Sequence, residues 1–295
     1  MKEFLSRKDY PSKLLVFGEY AVLSGGRALA IPFDKYSGHW QLHSGHKPPT
    51  DWEQLIRFLL TQEFSPYCVF EKDKFWEDVS KGLYFQSNIP LGYGLGSSGA
   101  LTAAIFDAYF TTIGELEIKC VKESLATIES FFHGSSSGMD PLTSYSGQSI
   151  LFDSKNIELI KIYSGDKIYQ NWFLIDSGRP RSTAQMVKSF KNLLTQNPLN
   201  GILYEKMCVQ NEMAINALLR CDQDLLQSAI SELSRIQLTL FEPFNPEHIN
   251  SMWKKGLSTD SYYMKLCGAG GGGFYFLIKN HADKHNFDGE IAINK

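Results

Sequence analysis

The 295-residue chain lacks the features that mark a membrane, secreted or nucleic-acid-binding protein. No run approaches the roughly 18 uncharged apolar residues of a membrane-spanning helix, and "MKEFLSRKDYPSKLLVFGEY" has no apolar signal-peptide core. Lys and Arg number 29 against 32 Asp and Glu, without a basic tract. We therefore expect no nucleic-acid or membrane partner, and a cytoplasmic location. The weak negative charge does not exclude an anionic substrate, since a local site can still be positive.

Cysteine is scarce and shows no metal-binding spacing. The five cysteines are odd in number and widely scattered: Cys68, Cys120, Cys208, Cys221 and Cys267. No CxxC or Cys/His pattern occurs among them, so we expect reduced thiols, in agreement with a cytoplasmic protein.

Strand and helix patterns occur in both halves of the chain without strict alternation, which predicts an α+β fold. The predicted strands lie at 13–17, 28–33, 39–44, 82–90, 148–153, 157–163, 171–178 and on both sides of a glycine loop within 262–279. The predicted helices lie at 51–68, 100–113, 119–134, 182–198, 203–220 and 223–240. The segment "LYFQSN" resembles a protease-tag scar, but its position within an apolar pattern favours a native strand.

A glycine-rich loop, "NIPLGYGLGSSGA" (88–100), precedes the helix predicted at 100–113. It contains a formal GxGxxG, but the acidic residues about 20 positions later, Glu115 and Glu117, end a helix rather than a strand, which disfavours a dinucleotide fold. No Lys follows the glycines, so the Walker A pattern also fails. Two interpretations remain: a phosphate cradle at a helix N-terminus, or an ordinary strand-to-helix turn.

A second segment, "HGSSSGMDP" (133–141), contains a formal GxSxG around Ser136. A nucleophile elbow requires a preceding strand, whereas here a helix precedes, so a serine hydrolase with Asp176 and His248 is disfavoured. Asp140 beside this loop is a candidate base toward a substrate hydroxyl, or a plain turn residue. Glu129, eleven residues upstream, is a candidate metal ligand or a solvated helix residue.

A third segment, "CGAGGGGFYF", places five glycines between Gly268 and Gly273. A plain hairpin needs one or two glycines, because each additional one costs chain entropy. The run therefore indicates either very close backbone packing or a loop that embraces a ligand.

Together these segments resemble the GHMP kinases, the family of galactokinase and of homoserine, mevalonate and phosphomevalonate kinases. "PLGYGLGSSGA" is similar to the family's phosphate loop, and "KLCGAGGGGF" to its C-terminal glycine motif. The resemblance implies an α+β protein of two domains: a ribosomal-protein-like α/β domain at 1–160 and a ferredoxin-like domain at 161–295. ATP and Mg²⁺ are the implied cofactors.

The resemblance also assigns roles to individual residues. It implies catalytic roles for Asp140 and for Lys13 in "KLLVFGEY", with Mg²⁺ held by Ser97, Ser98 and Glu129. The implied ATP-binding residues are Pro90, Gly92, Gly94, Leu95, Gly96, Ser97, Ser98 and Gly99. The implied acceptor-binding residues are Glu19, Tyr20, His133, Gly138, Arg181, Thr183, Gly270 and Gly271.

The acceptor itself is predicted from two further segments. "IESFFHGSSSGMD" and "SGRPRSTAQMV" are similar to mevalonate kinase segments, and an Arg at position 181 suits a substrate carboxylate. "GEYAVL" has Tyr20 where mevalonate kinases usually carry His, and "GLGSSGALTAA" is more similar to phosphomevalonate kinase. We expect a monomer or homodimer acting on a mevalonate-like alcohol. The alternatives are phosphomevalonate, homoserine or sugar kinases, or a catalytically silent nucleotide-binding module.

Overall fold

The computed structural model describes residues 8–42, 51–162, 166–280, 287 and 289–294. His43 and Ser44 of the third predicted strand, and Tyr163 of the sixth, lie outside these residues. The chain divides into two compact units built from interleaved segments. The first unit comprises 1–13, 32–90 and 96–148, and the second comprises 14–31, 91–95 and 149–295.

Within the described residues the chain forms strands, α-helices and two 3₁₀ turns. The strands are β1 (Tyr10–Phe17), β2 (Ala28–Leu42), β3 (Cys68–Phe70), β4 (Leu83–Ser87), β5 (Phe110–Thr112), β6 (Ser149–Phe152), β7 (Ile157–Ile160), β8 (Trp172–Asp176), β9 (Tyr262–Leu266), β10 (Phe274–Lys279) and β11 (Ile291–Ala292). The helices are α1 (Trp52–Leu60), α2 (Lys72–Ser80), α3 (Ser97–Tyr109), α4 (Ile118–His133), α5 (Met139–Ser146), α6 (Thr183–Gln196), α7 (Pro198–Leu219), α8 (Gln223–Phe241) and α9 (Glu247–Thr259). The 3₁₀ turns are Ala21–Ser24 and Lys167–Tyr169.

The first unit packs helix α3 against α4 and α5. The second half of β2 pairs antiparallel with β4, from Gly38 opposite Ser87 to Leu42 opposite Leu83. Aromatic side chains fill its core, with the rings of Phe75 and Tyr109 stacked at 4.3 Å between centroids. These large apolar rings supply much of the burial that holds α3, and therefore its N-terminus, in place.

The second unit contains an antiparallel sheet with strand order β11–β8–β10–β9, on which α8 and α9 pack through β9. The first half of β2 pairs with β6, and β6 pairs with β7. Strands β9 and β10 are wholly buried, and β8 is buried except at Phe173 and Asp176. The glycine loop between β9 and β10 is therefore anchored at both ends by core strands.

The mixed helix and sheet content expected from the sequence is confirmed. Helix α4 ends at Gly134 as predicted, and α6 begins behind a capping Ser182 whose side chain accepts from the Gln185 amide. The segment "LYFQS" pairs in a sheet, as expected for native sequence. All five cysteines are free.

Several predicted boundaries are wrong. The expected second and third strands form one continuous strand, β2, and the helix expected at 51–68 ends at Leu60. The helix expected to reach residue 113 ends at Tyr109, where the short strand β5 follows. Helices α2, α5 and α9 and strands β3, β5 and β11 were not predicted.

Candidate active site

The glycine-rich loop 88–100 ends in the first unit, at the N-terminus of α3. Gly96 precedes the helix with a left-handed φ of 74°, and no side chain caps the helix start. The first turn also carries no acidic residue. Because the first amides of a helix lack intrahelical acceptors, this N-terminus presents free donors and a positive dipole end, which suit a phosphate group.

The glycines at this helix start permit close packing. A Cβ at Gly96 would lie 3.0 Å from Lys13 Cγ, and a Cβ at Gly99 would lie 3.0 Å from the Asp140 carbonyl carbon. Side chains at these positions would push both neighbours away. The glycine motif therefore brings Lys13 and Asp140 to the start of α3.

Lys13 and Asp140 form an ion pair, with 3.0 Å between Nζ and Oδ2. The Lys13 side chain is 8% exposed, whereas that of Asp140, in the first turn of α5, is 41% exposed. Gly138 begins that helix with a left-handed φ of 74°. The arrangement is an accessible carboxylate paired with a buried cation, and an accessible carboxylate can serve as a base toward a substrate hydroxyl.

Glu129 of α4 is buried and surrounded by hydroxyl groups. Ser98 Oγ donates to Glu129 Oε1 at 3.1 Å, and Ser136 donates to Oε2. His133 Nε2 lies 2.8 Å from Ser98 Oγ. Burial raises the pKa of Glu129, and the charge of Asp140 adds to this, while the two hydroxyls and His133 oppose it. A desolvated carboxylate of this kind favours a bound cation.

This donor set fits Mg²⁺ held jointly with a nucleotide. The described part of the chain contains no group of three or more His, Cys, Asp or Glu side chains able to hold a metal. Mg²⁺ is commonly bound by one or two carboxylates together with substrate phosphates and water. Of the two candidate serines, Ser98 is the one that hydrogen-bonds Glu129.

A second cluster lies in the second unit, around Arg181. Its amide donates to the Gly92 carbonyl at 2.9 Å, and its Nη1 donates to Thr183 Oγ1 at 3.2 Å. A Cβ at Gly94 or Gly268 would lie 2.1 or 2.3 Å from Arg181 Nη2. The glycines of two loops therefore make room for one guanidinium group, which no larger residue at these positions would allow.

An open depression of about 430 Å³ adjoins this guanidinium. Its lining residues are Arg179, Pro180, Arg181, Ser182, Gln185, Met186 and Gly271. Two arginines beside the N-terminus of α6 give the depression a positive character, which suits a carboxylate or phosphate.

Four predicted acceptor-binding residues in the second unit have close protein neighbours, and one of them, Gly271, also lines the depression. Glu19 pairs with Lys265, and Tyr20 donates its hydroxyl to the Ala269 carbonyl at 2.6 Å. A Cβ at Gly270 would meet Leu266 Cδ2 at 2.8 Å, and one at Gly271 would meet Met186 Sδ at 2.4 Å. Their assignment as substrate ligands stays a prediction.

Three residues near these clusters escaped the sequence reasoning. The sequence suggested only a nucleophile role for Ser136, yet its hydroxyl donates to Glu129. A helix, not the strand that a nucleophile elbow requires, precedes Gly134. Arg179 donates to the Gly271 and Phe244 carbonyls. Lys265 lies in the buried strand β9, and a single charge within "YYMKL" was a usable signal.

Comparison with known proteins identifies related kinases. Residues 66–148 match the GHMP kinases N terminal domain. A mevalonate kinase of Archaeoglobus fulgidus is 27% identical over 300 residues, covering 94% of each chain. The crystal structure of L. major mevalonate kinase in complex with R-mevalonate has a TM-score of 0.64 at 18% identity, covering 96% of this chain and 90% of that one. Streptococcus pneumoniae phosphomevalonate kinase, solved with phosphomevalonate and AMPPNP, has a TM-score of 0.60 at 14% identity, covering 93% and 92%.

The GHMP kinase domain match and the mevalonate kinase relatives indicate an ATP-dependent kinase, as the motifs led us to expect. The relatives by sequence include the mevalonate kinases of Archaeoglobus fulgidus and Schizosaccharomyces pombe. In the described part of the chain, no helix is both long and apolar enough to cross a membrane.

Proposed function

We propose that this protein transfers the γ-phosphoryl group of ATP to the hydroxyl of mevalonate. The observation that carries the proposal is the Lys13–Asp140 pair at the uncapped start of α3. A helix N-terminus binds phosphate, and an adjacent accessible carboxylate receives a hydroxyl proton. The choice of mevalonate as acceptor is supported by the relatives, which are mevalonate kinases.

The site residues of the first unit each have a role in this proposal. The amides at the start of α3, with Ser97, hold the ATP phosphates, and the glycines before them let the backbone approach. Asp140 orients the acceptor hydroxyl and accepts its proton, while Lys13 balances the negative charge that gathers near Asp140. Phosphoryl transfer depends mainly on such positioning and charge stabilisation.

Glu129 and Ser98 hold Mg²⁺ in this proposal. The fit rests on the buried Glu129 carboxylate, whose ionised form is disfavoured without a cation. When bound, Mg²⁺ neutralises phosphate charge. His133, which lies against Ser98 Oγ, belongs to this metal-side group rather than to the acceptor.

The acceptor carboxylate is assigned to Arg181, with Thr183 beside it. Support comes from the 3.2 Å Arg181–Thr183 hydrogen bond and from the depression that Arg181 lines. A guanidinium binds a carboxylate through two parallel hydrogen bonds. The division into domains at 1–160 and 161–295, the cytoplasmic location and the monomeric or homodimeric state stay predictions.

Phosphomevalonate is the second candidate acceptor. Two arginines, Arg179 and Arg181, line the same depression, and a phosphate group would suit them as well as a carboxylate. Tyr20 and the "SSGA" ending of the phosphate loop also favour it.

An ADP-release assay separates these possibilities when the purified chain is offered mevalonate, phosphomevalonate, homoserine and several sugars with ATP and Mg²⁺. We expect release that depends on mevalonate. Preference for phosphomevalonate would replace the proposed acceptor. ATP binding by calorimetry without release for any acceptor would indicate a silent nucleotide-binding module, against which the joint presence of Lys13, Glu129 and Asp140 argues.

A further inference from the structure

Lys265 of β9 is a fully buried cation in the second unit. Its Nζ donates to the Val16 carbonyl at 2.6 Å, to the Leu266 carbonyl at 2.7 Å and to Glu19 Oε1. An ammonium group has three protons, so this set of acceptors uses all of them. The rings of Phe17 and Phe276 lie 5.3 and 4.7 Å from Nζ, within the range of cation–π attraction.

Glu19 and Tyr20, which follow β1, are tied to the glycine loop 267–273 in two ways. The Glu19 carboxylate accepts from Lys265, whose Nζ also donates to the carbonyl of Leu266, the residue directly before the loop. The Tyr20 hydroxyl donates to the Ala269 carbonyl within the loop.

Tyr20 is fixed in this orientation. Its backbone adopts a left-handed φ of 63°, which a bulky non-glycine residue rarely does. Its ring packs between Phe190 and Phe241, at 4.2 and 4.9 Å between centroids. With the side chain buried and its hydroxyl engaged by Ala269, Tyr20 offers little surface to a substrate.

Stability alone does not explain this arrangement. A buried ion pair is often no more stable than well-packed apolar residues of the same size, because both charges lose their hydration. The loop, in contrast, requires fixing. Gly268, Gly270, Gly271 and Gly273 all have positive φ, and glycine loses more backbone freedom on ordering than any other residue.

The position of the loop also sets the position of Arg181. The Arg181 Nη2 donates to the Cys267 carbonyl at 3.4 Å, and Gly268 leaves space for the guanidinium. A displacement of the loop therefore displaces the group to which the acceptor carboxylate is assigned.

We propose that Glu19 and Tyr20 are positioning residues that, with Lys265, fix the glycine loop 267–273 and through it Arg181, and are not ligands of the acceptor. The consequence for catalysis rests on the proposed function. The consequence for the loop does not, since it concerns the ligand-free protein.

Tyr20→Phe tests the proposal by removing one hydroxyl while retaining the ring. We expect hydrogen exchange of the 267–273 amides in the ligand-free protein to accelerate about fivefold, from loss of about 1 kcal/mol. The KM for the acceptor should rise several-fold with a smaller change in kcat. Lys81→Met, which breaks an exposed ion pair with Glu77 in the first unit, is the control and should alter neither quantity. Unchanged loop exchange in Tyr20→Phe together with a raised acceptor KM would overturn the proposal in favour of direct substrate contact.

The ion pair requires a double variant, since Lys265→Met alone leaves Glu19 as an uncompensated buried charge. In Glu19→Gln/Lys265→Met we expect an unfolding midpoint close to that of the wild type, with loop exchange still accelerated. Wild-type loop exchange in the double variant would show that the ion pair does not fix the loop and would contradict the proposal. If the wild type releases no ADP with any acceptor, the proposed function fails, while the exchange measurements still decide the role of the loop anchor.

Discussion

Asp140 illustrates at the residue scale how a single carboxylate separates binding from turnover. In Asp140→Asn the side chain keeps its size and loses its charge, so the hydroxyl proton has no acceptor. We expect kcat to fall about 10²–10⁴-fold, the range for loss of a general base. The ATP dissociation constant should change little, because the start of α3 is intact.

ADP-release kinetics and ATP calorimetry measure these two quantities. Asp73→Asn, an exposed carboxylate in the first turn of α2, is the control and should keep wild-type turnover. Full turnover of Asp140→Asn with the true acceptor would remove Asp140 from the mechanism.

Glu129 is the residue that we expect to set the Mg²⁺ requirement of the activity. Glu129→Gln keeps the hydrogen-bonding shape but removes the charge that attracts Mg²⁺. We expect the Mg²⁺ concentration for half-maximal activity to rise at least about tenfold, and Mn²⁺ binding followed by electron paramagnetic resonance to weaken alongside it. Glu123→Gln, exposed on the same helix, should change neither. Unaltered metal dependence in Glu129→Gln would refute the ligand role.

Gly201 and Gly256 show at the scale of elements that one substitution can have opposite effects in two helices of the second unit. Nothing lies within 4 Å of a Cβ at Gly201 in α7, so Gly201→Ala should stabilise the protein by about 1 kcal/mol. A Cβ at Gly256 in α9 would lie 2.6 Å from the Tyr262 carbonyl oxygen, so Gly256→Ala should destabilise by about 1–3 kcal/mol. Urea unfolding of both variants gives the signs, and equal midpoints would contradict the packing described for α9.

The helices with clear ends were the elements most accessible to prediction. Gly134 ends α4 with a positive φ of 74°, and Ser182 begins α6 with a side-chain cap. Local chemistry alone therefore places both boundaries. The phosphate loop was likewise recognisable, because glycines and serines directly precede the apolar pattern of α3.

Elements fixed by tertiary contacts were not accessible. The polar "DKYSG" reads as a turn, yet β2 continues through it because Gly38 lies against the ring of Phe85 across the β4 pairing. Helix α5 has only eight residues and contains Pro141 in its first turn, where proline is tolerated although it reads as a breaker. The buried partner of Glu19 was equally hidden, since Lys265 lies 246 residues away.

The molecule as a whole should be sensitive to alkali through its buried tyrosines. Burial raises the pKa of Tyr275 to about 12, and its hydroxyl donates to Asn245 Oδ1 at 2.8 Å. Burial also raises the pKa of Tyr10, Tyr109 and Tyr169. An unfolded tyrosine ionises near pH 10, so their contribution is complete below about pH 10 and is lost as pH rises through the raised folded values.

Tyr275→Phe removes one of these ionisations. The free energy of unfolding in urea should therefore fall less steeply between about pH 10 and 12 in this variant than in the wild type, with a difference on the order of 2 kcal/mol over that interval. Tyr67→Phe, at an exposed position, should leave the slope unchanged. Identical slopes for wild type and Tyr275→Phe would show that Tyr275 ionises equally in both states.

The burial of Lys265 has a chemical consequence for the folded protein. Acylating reagents and lysine-modifying enzymes attack an unprotonated, accessible amine, and the Lys265 nitrogen is solvent-excluded with each proton donated to an oxygen. Its amine becomes reactive only when β9 and the end of β1 separate. The rate at which this lysine is labelled, followed by mass spectrometry, therefore reports how often the second unit opens. The native residue serves as the reporter, so no substitution is needed.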